Sequence, residues 1–178
     1  MPDSTEIVRT GRVWKFGDQI NTDLILPNTA FRLPKHEQHK FAFESIRPGW
    51  VDAVRPGDLI VGGDNFGMGS SRPVGAVLHA CGIVGVVAET INGLCLRNLT
   101  NESIPAINCP GIGAMFNEGD NARIDFRTGA VENLTQGRSI RGIPLAPLLA
   151  DIVIAGGVIP MLVAEGFIES EPFVAAVN

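Results

Sequence analysis

The sequence predicts an α/β fold built on a central, largely parallel sheet flanked by helices, and three observations carry that reading. Between Leu59 and Cys109, strand-length apolar runs alternate with helix-length segments in the order strand, loop, helix, strand, helix, strand. That order implies parallel strands with functional loops at their carboxyl ends. After Pro110 the texture changes, and residues 121–140 read as an antiparallel hairpin turning at Arg127-Thr-Gly-Ala130. No internal repeat, linker or low-complexity segment interrupts the chain, so residues 1–178 are read as one domain.

In chain order, the short alternating run Val13–Phe16 predicts a strand, and Gly17–Asp23, rich in turn formers, predicts a loop. Pro34–Ser45 predicts a short helix ended by Arg47-Pro-Gly-Trp50. A turn at Arg55–Asp58 feeds the continuous apolar strand Leu59–Gly62. The loop Gly63–Arg72, "GDNFGMGSSR", follows. Pro73–Cys81 predicts a helix, because proline suits the first helical position and Gly82 supplies the closing glycine. Ile83–Ala88 predicts a buried strand. Ile91–Ser103 predicts a helix with Ile91, Leu94, Cys95 and Leu99 as its apolar positions, and Ile104–Cys109 a further strand. Pro144–Phe167 closes the chain as a helix and a tail.

Composition excludes several classes of function. The chain has 178 residues, with 14 Lys+Arg against 19 Asp+Glu and a net charge of −5. With no basic run and no interleaving of basic and aromatic residues, nucleic acid is not expected as a partner. The longest apolar region, Pro144–Phe167, is broken by Asp151, Gly156, Gly157, Pro160 and Glu165, and the first residues lack the apolar stretch of a signal peptide. No membrane association and a cytoplasmic location are therefore expected. Cys81, Cys95 and Cys109 form no CxxC pair and read as free thiols in apolar surroundings. His36 and His39 share a charged segment with no third ligand nearby, which reads as solvated surface rather than a metal site.

The loop Gly63–Arg72 is where chemistry concentrates. Helix N-termini favour anions, and the predicted helix places Ser70, Ser71 and Arg72 at its mouth. Gly67 and Gly69 would let backbone N–H groups approach a ligand, Arg72 can grip a carboxylate through two parallel hydrogen bonds, and the two serines supply one helix cap and one free hydroxyl. The bland alternative is a capped helix after a glycine-rich turn, with Arg72 in solvent. The loop is neither a Walker loop nor a nucleophile elbow, since GK[ST] and GxSxG are both missing.

This loop resembles the signature loop of the aconitase superfamily's swivelling domain, and among its members the small subunits of 3-isopropylmalate dehydratase and their homoaconitase-like relatives. Three further stretches match in order: "GRVWKFGDQINTDLILP", with Thr22, Asp23, Ile25 and Pro27; "VRPGDLIVGG"; and "GIVGVVAETINGLCLRNLTNESIPAI", with Arg97, Asn98, Ile104 and Pro105. Together they cover about residues 11–110. The resemblance implies a single swivelling β/β/α domain of the aconitase carboxyl-terminal type. It further implies a hydro-lyase that interconverts 2-hydroxy and 3-hydroxy diacids by removing and re-adding water, here 2- and 3-isopropylmalate in leucine biosynthesis. Carried over residue by residue, Ser70 matches the base and Asp23 a carboxylate that supports the acid–base machinery. Ser71 and Arg72 match substrate-binding positions, with Arg32 as a second carboxylate clamp, while Gly67 and Gly69 are substrate-binding candidates from the loop reading. A [4Fe-4S] cluster needs three cysteine thiolates, two usually close in sequence, and the three cysteines here do not fit that pattern. The resemblance therefore implies a cluster on a separate large subunit, no metal on this chain, and no activity without the partner; self-association of the isolated chain stays open.

The chain departs from the family pattern at Met68, where a cysteine or similar small residue is usual, and at Pro73 and Val74, where a Glu-His pair is usual. "NTAFRLP" replaces an aromatic-leucine pair that helps set substrate choice. Alternatives at this stage are a homoaconitase, citraconate or methyl-substituted malate dehydratase small subunit, or a binding module without catalysis. Arg32 favours an extra carboxylate on the substrate, whereas Phe31 and Leu33 favour an alkyl group.

Overall fold

The continuous apolar runs become the centre of a seven-stranded sheet. A computed structural model describes residues 7–69 and 72–169. In chain order these form β1 (Val8–Lys15), α1 (Thr22–Ile25), α2 (Asn28–Phe31), α3 (Lys35–Gln38), α4 (Trp50–Ala53), β2 (Leu59–Gly62), α5 (Val74–Ala80), β3 (Gly85–Ala88), α6 (Gly93–Asn101), β4 (Ala106–Asn108), β5 (Asn121–Asp125), β6 (Ala130–Asn133), β7 (Arg138–Arg141), α7 (Pro147–Ile154) and α8 (Val158–Ala164). The sheet order is β4-β3-β2-β1-β5-β6-β7.

β1 divides the sheet into two halves. Its end, Val13–Lys15, pairs parallel with β2, and its start, Val8–Arg12, pairs antiparallel with β5. β2, β3 and β4 run parallel because α5 and α6 serve as crossovers between them. Every residue of β2 and β3 is buried, since the sheet is covered on both faces there. Ile60, Val86 and Ala106 point into a core with Phe43, Trp50, Leu78 and Leu99. Their neighbours Val61, Val87 and Ile107 point the other way, to Phe116, Phe126, Ile124 and Val153. After β7 the chain returns to the opposite edge of the sheet: Gly142 N–H donates to the Gly129 carbonyl and Ile143 N–H to that of Asn108, both at 2.8 Å. Among the described residues no single helix is long and apolar enough to cross a membrane.

Several local expectations are corrected. The predicted helix 34–45 is instead one turn of α-helix, α3, and a 3-10 turn at His39–Phe41. Gln38 is buried and donates its amide to the carbonyls of Phe31 (3.2 Å) and Leu33 (3.0 Å). Phe43 then turns through a φ of 57° so that its ring stacks on Phe16, with centroids 4.1 Å apart. A continued helix could not deliver that ring to the core. The first strand begins earlier, at Val8, because β5 pairs along its start. The stretch read as a loop around Gly17–Asp23 runs into α1, which Asn21 caps by accepting from Leu24 N–H at 2.8 Å. The hairpin is a three-stranded meander, and the carboxyl-terminal helix and tail include two helices, α7 and α8. Pro73 is the N-cap of α5 rather than its first helical residue.

One buried carboxylate ties β1 to the turn that feeds β2. Asp58 accepts from Arg12 Nη2 (2.6 Å), Trp14 Nε1 (2.7 Å) and the Arg55 N–H (2.9 Å). Burial pushes its carboxyl up, but these donors outweigh burial and hold it below the usual carboxylate range. A depressed folded-state pKa adds stability above the unfolded value of about 3.9, and that stability is lost as pH falls through the folded value. Asp58→Asn is therefore expected to cost about 2 kcal/mol at neutral pH. In urea titrations the gap from wild type should narrow steadily as the pH falls below about 4.

Candidate active site

Three loops at the carboxyl ends of β1, β2 and β3 are laced together. Gln19 N–H donates to the Asp64 carbonyl (2.8 Å), Gly67 N–H to that of Ile20 (2.7 Å) and Thr22 N–H to that of Met68 (2.8 Å). On the other side, Phe66 N–H donates to the Thr90 carbonyl and Asn92 N–H to that of Phe66, both at 2.9 Å. Residues 63–69 thus lie as an extra ribbon between the other two loops, pinned by the fully buried ring of Phe66. This is the position that the parallel order assigns to a functional loop.

The lacing changes the role of one glycine. Gly67 has φ +75°, and a Cβ there would lie 2.1 Å from Cys95 Sγ on α6. Close approach of the loop to α6 requires the glycine, and its N–H is already given to Ile20. The expectation of an open N–H donor at Gly67 is thereby corrected. Gly69, with φ +118°, brings the chain beside Thr22, whose Oγ1 would lie 2.9 Å from a Cβ. Ser70 and Ser71 fall outside the described residues.

The start of α5 also differs from expectation. Its N-cap, Pro73, makes no side-chain cap hydrogen bond, and the expected serine cap falls on Ser70 and Ser71, outside the described residues. Val74 N–H donates to the Arg72 carbonyl (2.7 Å), and Gly75 N–H donates to Asn98 Oδ1 on α6 (2.6 Å). These two donors are committed within the chain.

Arg72 and Asp23 meet across 49 positions of sequence. Arg72 donates to Asp23 Oδ1 from both Nε and Nη2. The arginine side chain is 11% exposed and the aspartate 60%. The guanidinium lies over the ring of Phe31, 4.8 Å from its centroid. Nη1 is buried and has no partner among the described residues. A buried cationic donor without an acceptor is costly, and a bound carboxylate would satisfy it. The alternative of Arg72 in solvent does not hold. Phe31, absent from the expected site residues, joins the site because the single turn of α2 brings it onto Arg72. Arg32 caps that turn, is exposed, and makes no side-chain hydrogen bond or ion pair among the described residues.

The three cysteines do not suit an iron–sulfur cluster. Cys81 ends α5, Cys95 lies in α6 behind Gly67, and Cys109 follows β4. Burial pushes the thiols of Cys81 and Cys95 up to about 12, and burial with the nearby Glu89 charge pushes Cys109 to about 11. Cluster ligation needs thiolates. Among the described residues, no three His, Cys, Asp or Glu side chains come together as a metal-holding group.

No family model matches the chain. Individual known proteins do. The isopropylmalate/citramalate isomerase small subunit of Methanocaldococcus jannaschii is 42% identical over 156 residues, covering 85% of this chain and 92% of its own length. The 3-isopropylmalate dehydratase small subunit 1 of Methanopyrus kandleri is 36% identical over 163 residues, covering 90% of this chain and 95% of its own. Among solved structures, a 3-isopropylmalate dehydratase from M. jannaschii superposes with a TM-score of 0.83 at 29% identity, covering 92% of this chain and 98% of that one.

Proposed function

The chain belongs to the 3-isopropylmalate dehydratase small-subunit family, and from that premise we propose that it is the small subunit of an isopropylmalate isomerase in leucine biosynthesis, working with a larger partner chain. The reaction moves a hydroxyl between adjacent carbons of an alkyl-substituted malate. A proton leaves one carbon as hydroxide leaves its neighbour, and water then adds back the other way round. The observation that carries the reading for this chain is the buried Nη1 of Arg72, without a partner among the described residues, beside Asp23 and Phe31.

In this reading Arg72 binds the carboxylate next to the carbon that loses its proton. Negative charge spreads onto that carboxylate as the C–H bond breaks, so a fixed cation lowers the barrier. Asp23 holds the guanidinium from one side and Phe31 from below. Ser70, two residues before Arg72, takes the proton on its Oγ and returns it to the adjacent carbon during rehydration. Gly67 and Gly69 shape the ribbon that leads to that serine. The family's [4Fe-4S] cluster, which would supply Lewis-acid chemistry at the leaving hydroxyl, does not fit the three thiols here and belongs in this reading to the partner chain.

Phe31 also bears on substrate. The side chain packed on Arg72 is an aromatic ring 46% exposed, which offers an alkyl group an apolar wall. That favours an isopropyl or methyl substituent over a third carboxylate, and the name of the M. jannaschii relative includes citramalate, a methyl-substituted malate. The test is co-purification with the large subunit and assay on 2-isopropylmalate, citramalate and a 2-hydroxy tricarboxylate. Turnover is expected only with both chains, and highest for the alkyl-substituted diacids. Preference for the tricarboxylate would overturn the substrate assignment, and full turnover by this chain alone would overturn the two-chain reading.

Arg32 provides a separate check on selectivity. Its exposed position beside Phe31 makes it a rim charge rather than part of the Arg72 grip. Arg32→Leu is expected to leave kcat/KM for an alkyl diacid within about threefold, while lowering that for a tricarboxylate about tenfold, equivalent to ~1.4 kcal/mol. A uniform loss on every substrate would remove Arg32 from substrate selection.

A further inference from the structure

Arg72 is held at its head by Asp23 and Phe31, but its backbone is held from elsewhere. The side chain of Asn98 on α6 accepts the Gly75 N–H at 2.6 Å, across 23 positions of sequence. The residue at 75 has to be glycine, because a Cβ there would lie 2.2 Å from the Asn98 carbonyl oxygen. The two helices therefore touch backbone to backbone at this point, and the amide of Asn98 fixes the start of α5. The acceptor must be Oδ1, since its partner is a backbone N–H. Val74 N–H on the Arg72 carbonyl carries the constraint on to Arg72 itself. α6 is a firm base for it: Cys95, Leu99 and Thr100 are buried, and Asn92 caps its first turn by accepting from Leu94 N–H at 3.0 Å.

We infer that Asn98 is a positioning residue for Arg72, an inference that rests on the reading of Arg72 as the carboxylate grip. The head of Arg72 pairs with a largely exposed aspartate, and exposed ion pairs hold geometry weakly. The hydrogen bond that Gly75 N–H donates to Asn98, made where two backbones touch, holds it firmly. Without it the Gly75 N–H loses its acceptor, residues 72–75 shift, and Nη1 no longer meets the carboxylate.

A double-mutant cycle in the two-chain complex tests this. Asn98→Ala is expected to lower kcat/KM for 2-isopropylmalate at least about fivefold in the wild-type background, and less than about twofold when Arg72 is already lysine. Asn98→Asp keeps the Oδ1 acceptor and adds charge favourable at a helix start, so it should recover to within about threefold of wild type. Where Asn98→Ala does not accumulate, Asn98→Gln displaces the acceptor by one methylene and carries the same cycle. Equal losses in both backgrounds, or failure of Asn98→Asp to recover, would overturn the positioning role. Wild-type kcat/KM in Arg72→Lys alone would instead sink the carboxylate-grip reading on which it rests.

Discussion

Replacing Ser70 with alanine is expected to lower kcat by on the order of 10²–10⁴ in both directions of the reaction, with assembly of the complex intact. The expectation rests on the chain that flanks it. Gly69 lies against Thr22, and Arg72 is paired with Asp23, the next residue along α1. Both ends of the short bridge that contains Ser70 are therefore anchored on one helical turn. A serine hydroxyl is a poor base in water, because its alkoxide is too costly. A fixed cation in a poorly hydrated place lowers that cost, since it stabilises an oxyanion strongly, and in the proposed reading the Arg72 guanidinium is that cation. Alanine removes the Oγ and little volume, so packing and the Arg72 grip should survive and KM should change little. Exchange of the substrate's C–H proton with deuterated solvent isolates the step, and it should vanish with turnover. Turnover within a few-fold of wild type would take Ser70 out of the mechanism.

Much of this was legible because it is local. The parallel half follows from two apolar runs, Leu59–Gly62 and Gly85–Ala88, that only a doubly covered sheet can use. Asn21 before Thr22 is a readable cap, yet a single turn of helix inside a turn-rich segment reads as loop. Phe43 shows why the helix expected over 34–45 does not form as one helix: its ring belongs to a core shared with Phe16 and Trp50, and tertiary packing overrides helical propensity. The contacts that build the site are all long-range. Gly67 read as an opening for a ligand because glycine is ambiguous between close approach to a ligand and close approach to another part of the chain; here the neighbour is Cys95. Resemblance put Asp23 and Arg72 among the site residues, but nothing local paired them across 49 positions. Asn98 was visible as part of an Arg-Asn pair, and its partner Gly75 was not.

Arg72→Lys is expected to reduce kcat/KM by at least about tenfold, or ~1.4 kcal/mol of transition-state stabilisation. Charge is conserved in this variant, so the loss measures geometry. The guanidinium performs three tasks at once: Nε and Nη2 bond Asp23, the flat face rests on Phe31, and Nη1 is buried with no partner among the described residues. An ammonium is a single point with no flat face. It can pair with Asp23 or reach the substrate carboxylate, and doing one forfeits the other. The factor should be the same for 2-isopropylmalate and citramalate, because both present that carboxylate, whereas Arg32→Leu should discriminate by the substituent. Asp23→Asn offers an internal control. It keeps an acceptor for Nε but removes the charge that orients the fork, so its loss should be smaller than that of Arg72→Lys and should largely disappear in the double variant. Independent, additive losses would mean that Asp23 does not act through Arg72. A lysine variant that works as well as wild type on every diacid would mean that charge alone serves the carboxylate and that the buried Nη1 has no part in binding it.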